Sequence, residues 1–137
     1  LEMKAKKRKI SLLFDKVHSA PIMVIGDVER IEQVFINLIV NSIKYGKIGG
    51  VTTVSVTSLK MGKLRIKVAD NGEGIKKEHL PRIFERFYRV EKDRSRERGG
   101  SGLGLAIVKH LCHAIGAEIS VKSEVGLGSE FRVQFRP

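Results

Sequence analysis

Apolar positions change their spacing several times along the 137-residue chain, and each change marks an element. Ile10, Leu12 and Phe14 alternate with Ser11 and Leu13, which predicts a strand. Ile22 to Ile25, after Pro21, predicts a second short strand, stopped at Gly26-Asp27 with Asp27 as a helix N-cap. The spacing then turns helical: Ile31, Val34, Phe35, Leu38 and Ser42 share one face, and Tyr45-Gly46 and Gly49-Gly50 end the run. Val51 to Leu59 is rich in Val and Thr and predicts a strand. Leu64, Ile66 and Val68 alternate with Arg65 and Lys67, a half-buried strand ending near Asp70. Lys76 to Arg89 predicts a short helix around Pro81. Leu103, Ile107, Leu111 and Ala114 predict a second long helix, closed by Gly116. Ile119 to Val121 and the Phe131, Val133, Phe135 alternation predict two final strands joined by a hairpin at Gly126-Leu127-Gly128.

Strands and helices do not alternate as a doubly wound sheet requires. The order predicts an α/β (α+β) two-layer sandwich, with a mixed, mainly antiparallel sheet covered on one face by helices. Composition agrees: 42% hydrophobic and 30% charged residues suit one globular domain with a real core and exclude a disordered chain. Residues 1–9 read as a basic leader or cloning remnant, and 10–137 as the domain. No apolar run reaches membrane-spanning length and no secretory signal opens the chain. The single cysteine, Cys112, has no partner for an internal disulfide.

The net charge of +11 narrows the partners to anions. Basic residues gather in the leader and again over Arg86, Arg89, Lys92, Arg94, Arg96 and Arg98, where acids interleave. Few aromatics lie among them and no recognition motif appears, so nucleic acid is not the expected partner. His110, Cys112 and His113 lie close in sequence, but a metal site needs further ligands, and packing accounts for that helix.

Three stretches carry chemistry. With Asn37 at zero on the first helix, Asn41 falls at about 40° and Lys44 at about −20°, while the apolar face centres roughly 110° away. Arg30 and Gln33 share the amides' sector. The amides therefore stand on the shoulder of the buried face, where a cleft wall would be. Asn is a mediocre helix former, so two in mid-helix ask for a reason; they offer oxygen ligands without charge. "VADNGEGI" sets Asp70 at a strand end before Gly72 and Gly74, which permit close backbone approach to a ligand. A carboxylate there can accept a hydrogen bond from an exocyclic amine. "GGSGLGLAIVKH" puts Gly99, Gly100, Gly102 and Gly104 at the mouth of a helix, where backbone amides and the helix dipole favour phosphate. It is neither a dinucleotide fingerprint nor a Walker A loop.

Taken in this order, the stretches resemble a known family, the catalytic ATP-binding domain of bacterial sensor histidine kinases, within the wider group shared with DNA gyrase, the Hsp90 chaperones and MutL. "QVFINLIVNSIKYG" resembles the N box, "VADNGEGI" the G1 box, "IFERFYRV" the F box, "GGSGLGLAIVKH" the G2 box, and "EVGLGSEFRVQF" the final turn and strand. The resemblance covers about Ser11 to Phe135 and implies the Bergerat fold with a mobile ATP lid from about Glu85 to Ser101. It implies that Asn41 ligates Mg²⁺, that Asn37 lies beside the phosphates, that Lys44 contacts phosphate and that Tyr45 packs on the adenine. Asp70 is implied to bind the adenine 6-amino group, with Gly72, Gly74 and Ile75 shaping that pocket. Phe84 and Phe87 are implied to anchor the lid, and Arg86 or Arg89 to reach the γ-phosphate. Gly100, Ser101, Gly102, Leu103, Gly104 and Leu105 are implied to frame the nucleotide, and Ser129 to hydrogen-bond near the adenine. Ser101 and Ser129 stand where Thr is common in the family, and both keep the hydroxyl.

The ATP-hydrolysing relatives carry Glu at the position of Asn37. Asn is no general base at neutral pH, so this chain suits phosphate delivery to an outside nucleophile rather than hydrolysis. The expected reaction takes ATP with Mg²⁺ and yields ADP and a phosphohistidine on a separate dimerisation domain. None of His18, His79, His110 and His113 sits in a His-Glu-x-x-Thr-Pro context, so the acceptor is expected elsewhere. A response regulator is the implied downstream partner, in a cytoplasmic setting beneath a parent protein that membrane anchoring would suit. The domain alone is expected to be monomeric and without kinase turnover. A serine or anti-sigma kinase is the alternative within this class. A domain that senses ATP but transfers nothing is the alternative outside it.

Overall fold

The computed structural model describes residues 11–15, 28–88 and 104–135. The basic leader, Asp27, the Ile22–Ile25 strand and most of the lid lie outside the described residues. Five strands form one sheet: β1 (Ser11–Asp15), β2 (Val51–Ser58), β3 (Leu64–Asp70), β4 (Ala117–Glu124) and β5 (Gly128–Phe135). Their order is β1-β2-β3-β5-β4. β1 runs parallel to β2, and every other pair is antiparallel. The mixed, mainly antiparallel sheet expected from the sequence is therefore present.

Two helices cover one face, α1 (Val28–Tyr45) and α2 (Gly104–Ala114). α1 lies against β2 and β3, and α2 lies against β4 and α1. The alternation along the strands follows from this cover. Thr52, Val68, Phe131, Val133 and Phe135 turn toward the helices and are buried. Glu118, Ser120, Lys122 and Glu124 on β4 turn the other way and are exposed. From α1, Val34, Leu38, Ile39 and Ile43 enter the core; from α2, Val108 and Cys112 do. Burial pushes the Cys112 thiol up to about 11, so it packs as a small apolar side chain and stays protonated. Among the described residues no helix is long and apolar enough to cross a membrane.

One element differs from the sequence expectation. Residues 76–88 form successive turns rather than a helix. Their backbone bonds all close over three residues: His79 N–H to Lys76 O, Leu80 to Lys77, Arg82 to His79, Glu85 to Arg82 and Tyr88 to Glu85. Pro81 supplies no N–H and disfavours the α conformation at Leu80, so an α-helical ladder cannot run through. Cross-links tie the turns together. His79 Nδ1 hydrogen-bonds the Tyr88 hydroxyl, the Arg82 guanidinium lies 4.5 Å over the Tyr88 ring, and Arg82 Nε pairs with Glu85 at 2.8 Å. Phe84 meets Phe131 of β5 edge-to-face at 6.2 Å, which fastens the segment to the sheet.

Candidate functional site

The site forms where α1, the end of β3 and the start of β5 meet. Apolar burial sets the rotation of α1. Val34 and Leu38 are wholly buried, so Asn37 and Asn41, on the shoulder of that stripe, come out half-buried. Gln33 Nε2 donates to Asn37 Oδ1 at 3.4 Å. That bond turns the Asn37 amide nitrogen the other way, and Nδ2 is left buried with no hydrogen-bond partner among the described residues. An orphaned donor in this position costs roughly 1–3 kcal/mol until an acceptor arrives, and a phosphate oxygen would satisfy it.

Asp70 ends β3 inside a ring of donors. Its Oδ1 accepts from Gly72 N–H at 2.9 Å. The Ser129 backbone N–H and the Ser42 side chain also hydrogen-bond the carboxyl. Burial pushes the Asp70 carboxyl above its ordinary value, and those three bonds pull against that rise. An ionised carboxylate offers about four acceptor directions, so three protein donors leave about one for a ligand.

Glycines allow the floor to close around this group. At Gly74, with φ +77°, a Cβ would lie 2.1 Å from the Glu124 carbonyl oxygen. At Gly128, with φ +122°, it would lie 2.0 Å from the Asp70 carbonyl oxygen. Side chains at these two positions are excluded by space and by backbone conformation together. Gly72 sits under the end of α1, where a Cβ would approach the Tyr45 carbonyl oxygen to 2.7 Å. Gly126 N–H donates to Glu73 O at 2.8 Å and locks the β4–β5 hairpin over this floor.

The structure thus gathers Tyr45, Asp70, Gly72, Gly74 and Ser129 at one end of the sheet, with Asn41 and Asn37 half-buried about one and two turns back along α1. Lys44 is half-buried in the last turn of α1. Ile75 and Leu105 are half-buried and pack against the core cluster, and Gly104 opens α2 where, among the described residues, a Cβ would meet open space. Arg86 is exposed. Arg89, Gly100, Ser101, Gly102 and Leu103 lie outside the described residues. The pairing of Phe84 with Phe87 as joint anchors needs correction. Phe84 is packed on the core, whereas Phe87 is 69% exposed, its backbone in the left-handed region at φ 63°.

Four functional groups escaped the sequence reading. Ser42 Oγ and Thr52 Oγ1 lie 2.8 Å apart in the core, beside Asp70. Asn71 Oδ1 accepts from Val51 N–H at 2.7 Å and pins the loop after α1. Ser123 Oγ accepts from Ile75 N–H at 2.7 Å and donates to Gly128 O at 3.0 Å. It also lies 2.8 Å from Ser129 Oγ, so with its own proton spent, Ser129 must be the donor there. The one available signal was Ser42 itself, a polar residue on an otherwise apolar helix face.

The donor set bears on the implied cation. Among the described residues no three His, Cys, Asp or Glu side chains gather as a metal site, His110, Cys112 and His113 included. A hard cation beside Asn41 would instead take the amide oxygen, water and phosphate, a set that suits Mg²⁺.

An open mixed sheet with helices on one face, an anchored carboxylate at a central strand end and an amide-bearing helix above it define a nucleotide-binding domain. The chain belongs to the histidine kinase-, DNA gyrase B- and HSP90-like ATPase family, which it matches over residues 26–137, and within it is the catalytic ATP-binding domain of a sensor histidine kinase. It is 39% identical over 130 residues to the sensor histidine kinase YkoH of Bacillus subtilis, which takes in 94% of this chain and 27% of YkoH. The chain thus spans little more than a quarter of that relative's length. Full-length ShkA in complex with AMPPNP superposes at TM-score 0.81 with 31% identity, over 97% of this chain and 27% of that one. The histidine kinase ThkA in complex with the response regulator TrrA superposes at TM-score 0.77 with 25% identity, over 98% of this chain and 36% of that one.

Proposed function

We propose that this domain binds Mg-ATP over the floor made by Asp70, Gly72 and Gly74, and delivers the γ-phosphate to a histidine on a separate dimerisation domain. The observation that carries the reading is Asp70, a carboxylate anchored by three protein donors with about one acceptor direction left. That remainder suits a single N–H of the adenine 6-amino group. Tyr45 stands at the end of α1, where it would cover the base. The unsatisfied Asn37 Nδ2 and the half-buried Lys44 line the route from the base toward the phosphates. Asn41 would hold Mg²⁺, which when bound neutralises phosphate charge. Arg86, together with Arg89 and the glycines of 100–104, would complete the phosphate end. In the reaction the bond from the γ-phosphorus to the bridging oxygen breaks, an N–P bond to imidazole forms, and ADP leaves. Because residue 37 is Asn and has no base function, water is not activated there and the phosphate is kept for the imidazole.

A response regulator is the downstream partner in this reading, supported by the ThkA–TrrA complex, and the setting is the cytoplasmic side of a signalling kinase. The test has two parts. Calorimetric titration with ATP should give binding that weakens about ten- to a hundredfold in Asp70→Asn, the value of one hydrogen bond to a charged acceptor. The 137-residue chain mixed with a histidine-bearing dimerisation domain and γ-labelled ATP should label the acceptor. Unchanged affinity in Asp70→Asn overturns the adenine assignment, and ATP binding without label makes the domain a sensor of ATP instead.

A further inference from the structure

We propose that Ser42 and Thr52 are positioning residues for the nucleobase: a two-hydroxyl relay from Thr52 to Ser42 to Asp70 that holds the carboxylate as an acceptor and aims its remaining lone pair into the cleft. This rests on the reading of Asp70 as the partner of the adenine amine.

The geometry carries it. Ser42 on α1 is 2% exposed and Thr52 on β2 is wholly buried, with their hydroxyl oxygens 2.8 Å apart. Thr52 is the register partner of Asp70 across the β2–β3 ladder, so both residues turn to the helix-covered face. Ser42 hydrogen-bonds the Asp70 carboxyl. A hydroxyl has one proton, and an ionised carboxylate only accepts. The Ser42 proton is therefore committed to Asp70, and the Thr52 proton to Ser42. The direction of the whole chain follows from the charge at its end. A proton on Asp70 would turn one carboxyl oxygen into a donor and leave fewer acceptor directions for Ser42 and the base.

Packing does not call for either hydroxyl. Ala at 42 and Val at 52 would fill the same space without two buried polar atoms. Such atoms are costly unless bonded, and their only described partners are each other and Asp70. The relay also links α1, β2 and β3 at the point where the base would sit, so it fixes the carboxylate's orientation as well as its acceptor state.

The experiment compares Ser42→Ala, Thr52→Val and the hydroxyl-conserving Thr52→Ser in the 137-residue chain. Carbon-13 NMR follows the titration of the Asp70 carboxyl without nucleotide. Calorimetry then compares ATP with purine riboside triphosphate, which lacks the 6-amino group. The Asp70 midpoint should rise in Ser42→Ala and Thr52→Val and return in Thr52→Ser, and the preference for ATP should fall about tenfold in Ser42→Ala. An Asp70 midpoint equal to wild type in Ser42→Ala overturns the relay. A wild-type chain that binds the two nucleotides equally, while the midpoint still moves, overturns the adenine reading and leaves the hydroxyl relay standing. Should Thr52→Val fail to fold, Ser42→Ala, which removes a single buried oxygen, decides the matter alone.

Discussion

Asp70 stays useful only as an anion, yet burial works against its charge. Its native titration lies above the ordinary value, with burial as the largest cause. The folded state thus holds the Asp70 proton more tightly than the unfolded chain does. The residue's favourable contribution is complete below the unfolded value of about 3.9 and is lost as pH rises through the native one. Asp70→Asn should therefore gain stability relative to wild type as pH rises through that window, while losing ATP affinity. Urea midpoints of the two proteins across a pH series check this; a constant difference would contradict it. Asp70 and its glycines were legible as "VADNGEGI" because that stretch falls in order between the Asn-bearing helix and the second glycine run; by itself it would read as a turn. Two of the three donors that hold the carboxyl were not, since Ser42 and Ser129 lie 28 and 59 positions away in the sequence.

The β4–β5 hairpin is the element that closes the floor. Its start at Gly128 and the loop at Gly74 leave no room for a methyl group. Gly128→Ala should cost about 1–3 kcal/mol from backbone strain, with the clash against the Asp70 carbonyl adding to it, and should weaken nucleotide binding in the same variant. Gly104→Ala is the internal contrast. No described neighbour lies within 4 Å of the added carbon, and Ala suits a helix better than Gly, so stability should hold or rise slightly. Urea unfolding of the pair checks the packing contrast, and calorimetry follows binding in the Gly128→Ala variant; an equal loss of stability at both positions would refute the argument. Amphipathic spacing made both long helices and β2, β3, β4 and β5 readable. Residues 76–88 misled because Ile83 and Phe84 supply helical-looking apolar spacing, while Pro81 breaks the ladder that a helix needs.

The molecule as a whole is a single-sided sandwich, and its core doubles as the jig for the site. Leu38 is wholly buried between sheet and helix, one residue after Asn37 and three before Asn41. Leu38→Ala should cost about 2–5 kcal/mol by cavity formation. The loosened helix should also bind ATP more weakly, although Leu38 touches no proposed ligand position. Denaturant unfolding read beside ATP titration checks the coupling; a destabilised variant with wild-type affinity would show that α1 keeps its rotation without Leu38.

Hydrophobic period alone determined the two-layer arrangement, the two helices and the outward turn of Asn37 and Asn41, because burial of an apolar stripe sets a helix's rotation wherever the helix packs. Box-like stretches determined the family. Tertiary structure alone decided the strand order β1-β2-β3-β5-β4, the parallel pairing of β1, and the meeting of Ser42, Thr52, Asp70 and Ser129. Hydrogen bonds between residues far apart in sequence depend on register and on helix placement, and neither is written in any local pattern. The aspartate was visible in the sequence; the hydroxyls that hold it became visible only once α1 lay on the sheet.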